Sequence, residues 1–188
     1  MQNNYRLSCE DTIKYFKAKE IMKLKRRHFL IASTFFGVSS YMNAQDLNAF
    51  KKEYRKVKPL IEAVQHHMFP AFSKIPSAKS MHAVLFLFET MTHKSFDKDI
   101  RVFVLEGAEE LMRREKSFLR MSSKEKETAL RKYERTSYGS AWLSRIMTIT
   151  MEGMFGDPIY GSNVKEAGWK ALNAYAGLPR PRKRYLDV

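Results

Sequence analysis

The chain has 188 residues, 44% of them hydrophobic, and 34 Lys/Arg against 20 Asp/Glu give a net charge of +14. That length and apolar content suit one domain with a real core and exclude general disorder. A single cysteine, Cys9, excludes a disulfide framework, a thiolate metal site and a haem-attachment motif.

The charge is unevenly placed. The first 44 residues hold eight Lys/Arg and three Asp/Glu, which leaves +9 beyond them. Much of the remainder is interleaved with acids, as in Lys124-Glu-Lys-Glu127, the pattern of a solvated helix face. Arg180-Pro-Arg-Lys-Arg184 is the dense basic run, and residues 179–188 read as a mobile, solubilising basic tail. A surface this basic also suits an acidic partner or anionic lipid headgroups.

Residues 22–44 begin with a cationic cluster (Lys23, Lys25, Arg26, Arg27), continue through an apolar run from Phe29 to Met42 and end on Ala44. Basic region, apolar region and small-residue end are the layout of an export signal. The run is shorter than the roughly 20 residues that span a bilayer, and its serines, Thr34 and Gly37 weaken it further. Arg26-Arg27 followed by His28, Phe29 and Leu30 resembles the twin-arginine signal, although Lys25, Ile31 and Met42 depart from it. The competing reading is an apolar helix after a basic turn. Residues 1–21 precede that layout and read as an upstream extension, with Met22 the expected working start.

From residue 45 the pattern is helical. Asp46 suits an N-cap, and Leu47, Phe50, Tyr54 and Val57 recur at helical spacing. Pro59 is placed to open a new segment through Leu60, Ile61, Val64 and Met68, stopping at Pro70. Ser77 opens a candidate helix that is apolar on nearly every side from Val84 to Phe88, which predicts the central core helix or, alternatively, a short buried strand. Asp97 is placed to cap a further helix containing Ile100, Val104, Ala108, Leu111 and Met112. Ser122-Ser-Lys-Glu125 is a capping box, and Tyr138 to Met151 places Trp142, Ile146 and Ile149 together. With no strand ladder or repeat in view, the fold class is all-α. Residues 45–178 form a single helical domain closed by a glycine- and aromatic-rich C-terminal loop.

That loop runs from Met151 to Trp169 and contains Gly153, Gly156, Gly161 and Gly168, half the glycines of the chain. Asp157-Pro158 favours a turn, and Phe155, Tyr160 and Trp169 act as aromatic anchors. The loop is either wedged into its own domain or presented to a partner. With neither a nucleophile–base pair nor a metal-ligand spacing, it does not suggest catalysis.

Phe155-Gly-Asp-Pro-Ile-Tyr-Gly-Ser-Asn163, followed by Gly168-Trp169, resembles the C-terminal signature of the gluconate 2-dehydrogenase subunit 3 family. The likeness covers roughly residues 47 to 178. Ser162 stands where the family usually has a second glycine, and the segment after Trp169 is looser than the family's ending. The resemblance implies a small, non-catalytic subunit that stabilises and co-exports a flavoprotein large subunit. FAD would be held by that large subunit and no cofactor by this chain. Electrons would pass to a cytochrome c subunit or another membrane acceptor, and the twin-arginine export machinery is a further expected partner. The complex would be periplasmic and membrane-associated. Partner contact would fall on Phe155, Asp157, Pro158, Tyr160, Gly161, Asn163, Gly168 and Trp169. Trp169 is expected mainly in the core, and Tyr160, after the turn, mainly where the loop projects furthest.

The chemical candidates elsewhere are weaker. His66 and His67 are adjacent and point about 100° apart on a helix, so they do not grip one metal as an i, i+4 pair does. His82 and His93 read as partly exposed or hydrogen-bonded histidines, and Glu109, Glu110 and Glu152 as solvated or capping groups. No GxGxxG follows a strand, so there is no dinucleotide fingerprint. Eleven methionines suit an adaptable core or interface. Two rivals remain: a basic protein acting on a membrane surface or nucleic acid, and a self-sufficient enzyme using the histidines. Nucleic acid is not among the partners expected from the leading reading.

Overall fold

In the computed structural model, the structure describes residues 44–184, and they form an all-α body. The helices are α1 (Ala44–Met68), α2 (Ala83–Thr92), α3 (Lys98–Arg114), α4 (Ser123–Glu134), α5 (Ser137–Phe155) and the short α6 (Ala167–Leu172). Single 3-10 turns occupy Phe118–Arg120, Pro158–Tyr160 and Val164–Glu166. Arg26, Arg27, Phe29 and Leu30 of the expected export signal lie outside the described residues.

Two of the anticipated helix starts are built by their caps. The Asp97 carboxylate accepts the Asp99 N–H at 2.7 Å and opens α3. Ser122 and Glu125 form the reciprocal capping box of α4, the Ser122 N–H reaching the Glu125 carboxylate at 2.7 Å. The first helix differs from expectation twice. It begins at Ala44, ahead of Asp46, and it runs unbroken through Pro59. Phe50, Tyr54, Val57, Ile61 and Val64 form one continuous buried stripe across the proline. Burial of that stripe outweighs the one backbone bond that proline removes, and Pro59 itself lies on the exposed side of the helix.

The segment after Ser77 also differs. Ser77 closes a turn instead of a helix, its hydroxyl accepting the Ser80 N–H at 3.2 Å. His82 then takes a left-handed conformation at φ 58°, and α2 starts only at Ala83. Nor is α2 the centre: Leu85 is exposed on it, and the helix has only 10 residues. The 19-residue α5 takes that place and packs against α1, α2, α3 and α4. Trp142 sits fully buried at the α3–α5 crossing because Gly107 has no side chain there. A Cβ on Gly107 would lie within 2.5 Å of the indole Cγ. The Trp142 indole N–H donates to the Val104 carbonyl at 3.0 Å, so the buried ring leaves no donor unpaired.

Polar bonds tie α1 to the same core. Tyr54 Oη donates to the Val84 carbonyl at 3.2 Å, and Gln65 Nε2 donates to Thr150 Oγ1 at 2.9 Å. A smaller apolar cluster of Ala78, Met81, Ala83 and Met154 gathers Phe69, Ile75 and Phe155 around the C-terminal end of α5. The site is built on that end.

Candidate functional site

Beyond Phe155 the chain cannot continue as a helix. Gly156 leaves at ψ 179°, and Asp157 caps the next turn by accepting the Ile159 N–H at 3.0 Å. Pro158 enters that turn with its φ already fixed, and Gly161 ends it at φ +80°, a conformation glycine adopts without a Cβ penalty. Tyr160 does not project. It is half-buried, and its ring meets Phe86 of α2 edge-on at 6.5 Å. The loop folds inward there because the aromatic gains more from the core than from water.

Asn163 holds the loop to the helix end. Fully buried and left-handed at φ 48°, it donates Nδ2–H to the Gly156 carbonyl at 2.8 Å and accepts the Gly168 N–H at 2.8 Å. One side chain thereby bridges both edges of the turn. Gly168 makes this possible, since a Cβ there would meet the Met154 carbonyl oxygen at 2.3 Å. Trp169 follows at 8% exposure, its indole N–H on the Phe155 carbonyl at 2.6 Å. Ser162 occupies its position with ordinary backbone: among the described residues it is not one of those with positive φ.

Of the expected contact residues, Asn163, Gly168 and Trp169 are buried, while Phe155, Asp157, Pro158 and Tyr160 are half-buried. Gly161 is exposed. The structure brings them together as one cap over the end of α5.

The residue that sequence reasoning missed is Arg180. Its guanidinium donates to Asp157 from Nε and Nη2 at 3.1 and 3.2 Å, and to Glu166 from Nη1 at 2.7 Å. The same group lies 4.8 Å from the centre of the Trp169 ring, a cation–π distance. Arg184 Nη1 in turn reaches Glu89 of α2 at 3.0 Å. The basic run is thus not a free tail through Arg184. A legible cue existed: two acids, Asp157 and Glu166, stand in a loop that is followed by a dense cationic run. Burial on its own would raise the Asp157 carboxyl. The bonds from Arg180 and the Ile159 N–H outweigh burial and hold it below the usual carboxylate range. The Arg180 bond lowers Glu166 in the same way.

The histidines lie elsewhere. A cleft of about 440 Å³ is lined by Glu62, His66, His67, Lys79 and Lys126, and His67 Nε2 bonds Glu127 Oε2 at 2.8 Å. His93 Nδ1 bonds Ser95 Oγ at 2.7 Å. Among the described residues no group of three His, Cys, Asp or Glu is placed to hold a metal ion.

The described residues thus form a small helical body whose C-terminal loop is stapled over the end of α5 by Asn163, Trp169 and Arg180. The family model of gluconate 2-dehydrogenase subunit 3 matches residues 56–177, and the chain belongs to that family. No curated protein and no solved structure matches the chain.

Proposed function

We propose that this chain is the non-catalytic small subunit of a flavin-dependent dehydrogenase of the gluconate 2-dehydrogenase type. It stabilises an FAD-containing large subunit and carries it out of the cytoplasm by the twin-arginine route into a periplasmic, membrane-associated complex. A cytochrome c subunit or another membrane acceptor takes the electrons.

Family membership over residues 56–177 carries this reading, because it makes the chain part of a multi-subunit dehydrogenase. The physical logic is consistent with it. A flavin is inserted into folded protein, and the twin-arginine route accepts folded cargo. The cap built by Asn163, Gly168 and Trp169 gives a rigid surface, so little ordering entropy is lost when a partner docks on it.

The test is capture of the full chain from its native host, followed by absorbance of what accompanies it. A flavin spectrum at about 450 nm, with oxidation of a sugar acid, is the expected outcome. Recovery of the chain alone from the membrane extract would overturn the reading.

A further inference from the structure

Among the described residues, Leu178, Phe72 and Tyr175 are the large apolar side chains most exposed to solvent, at 78%, 75% and 73%. They come from two segments fixed to the same end of the molecule. Phe72 sits on a tight turn closed by reciprocal backbone bonds with Ile75 at 3.0 and 2.9 Å. The flanking Phe69 and Ile75 pack into the cluster around Met154 and Phe155 at the end of α5. Tyr175 and Leu178 follow α6, which Trp169 bonds to that same end through the Phe155 carbonyl.

The second segment is held at both ends. The Ala174 N–H bonds the Trp169 carbonyl at 2.9 Å, and Arg180 is locked onto Asp157 and Glu166. Its exposed apolar groups are therefore held in place by ion pairs and hydrogen bonds, at the same end of the molecule as Phe72.

Charge decides the kind of contact. Lys74 stands two residues from Phe72, and Arg182 and Lys183 follow Leu178; none of the three has an ion-pair partner among the described residues. Nearby acids are already engaged, Asp157 and Glu166 by Arg180 and Glu89 by Arg184. Glu152 is exposed at this end but outnumbered. The centre of a protein interface is depleted of charge. Aromatic and leucine tips set among unpaired cations instead match the lipid–water interface, where apolar groups enter the acyl boundary and cations meet phosphates.

We propose that this end of the molecule docks peripherally on an anionic phospholipid bilayer. Phe72, Tyr175 and Leu178 enter the interface, while Lys74, Arg182 and Lys183 lie on headgroup phosphates. No helix among the described residues is long and apolar enough to cross a membrane, and the contact is interfacial. The proposal does not depend on the dehydrogenase reading.

The test is co-sedimentation of the full chain with vesicles about one-third phosphatidylglycerol in phosphatidylcholine, beside pure phosphatidylcholine. The wild type is expected to sediment with the anionic vesicles. The triple variant Phe72→Ser, Tyr175→Ser, Leu178→Ser should bind roughly tenfold more weakly or worse, with an unchanged melting temperature. Lys74→Gln, Arg182→Gln, Lys183→Gln should also weaken binding, by about tenfold, and flatten its salt dependence. Equal binding by the wild type and the apolar variant overturns the proposal, because charge or the apolar run at residues 29–42 would then carry the contact. Failure of the wild type to sediment overturns it too. So does loss of a co-purifying protein in the apolar variant with vesicle binding intact, which would assign the tips to a protein interface.

Discussion

Arg180 reaches back to Asp157 with a two-pronged bond, Nε to one carboxylate oxygen at 3.1 Å and Nη2 to the other at 3.2 Å. Guanidinium and carboxylate match in this geometry as lysine cannot, and the third contact, to Glu166, draws the loop and the C-terminal segment together. The pair is the clasp of the cap.

Arg180→Ala is accordingly expected to lower the melting temperature and to expose the chain after Leu172 to protease. Arg180→Lys should recover only part of the loss, because it restores charge without the fork. Melting curves and limited proteolysis of both variants, at low and high salt, check this. Identical cleavage in wild type and Arg180→Ala would mean that the clasp does not hold the segment.

The same contacts set a pH dependence. Asp157 and Glu166 have depressed values in the folded state, so their contribution is present above the unfolded carboxylate range and is lost as pH falls through the folded values. The loss should therefore set in below about pH 4. Arg180 is shifted upward, so its contribution is complete across the acid and neutral range and plays no part in this limb. Melting temperatures from neutral to acid pH should show a steeper fall for wild type than for Arg180→Ala.

Glycine is needed at two loop positions for different reasons. At Gly168 a Cβ meets a backbone oxygen at 2.3 Å, which cannot swing aside, so Gly168→Ala should cost about 1–3 kcal/mol or more and break the Asn163 bond. At Gly161 the space is open to 4.0 Å and only the positive φ penalises a side chain, about 1–2 kcal/mol. Chemical denaturation of both variants should rank Gly168→Ala as the more damaging.

Trp169→Ala should cost roughly 3–5 kcal/mol and threaten the fold, whereas Trp169→Phe keeps most of the packing and loses about 1 kcal/mol for the bond to Phe155. Tyr160→Ala removes a half-buried ring from beside Phe86, so it should lower stability as well as any partner affinity. Denaturant unfolding, with co-purification measured on the variants that stay folded, separates the two effects.

Export should depend on the arginine pair. Replacing Arg26 and Arg27 with Lys keeps the charge and removes the guanidinium forks. The chain and its flavoprotein are expected to remain in the cytoplasm, as cell fractionation would show. Unchanged periplasmic dehydrogenase activity would remove the twin-arginine claim.

The all-α class, the caps at Asp97 and Ser122 and the inward face of Trp142, Ile146 and Ile149 could be read from residue order alone. Each is settled by contacts within a few residues or by the 3.6-residue period, and such information is local. The loop's family signature was legible for the same reason, since its glycines and Asn163 serve a turn whose parts lie within a dozen residues. What tertiary structure alone decided involves distant partners. Pro59 stays inside α1 because the stripe on either side of it meets other helices, and Tyr160 turns inward because Phe86 waits there. Trp142 rather than the apolar Val84–Phe88 run lies at the centre, because Gly107, 35 positions earlier, leaves room for it. Arg180 belongs to the cap and not to a tail because Asp157, 23 residues away in the chain, is brought within 3.1 Å. Helical periodicity cannot rank one apolar run above another or pair one charge with another across such a distance. That choice is made by packing, where burial and complementary charge are weighed over the whole fold at once.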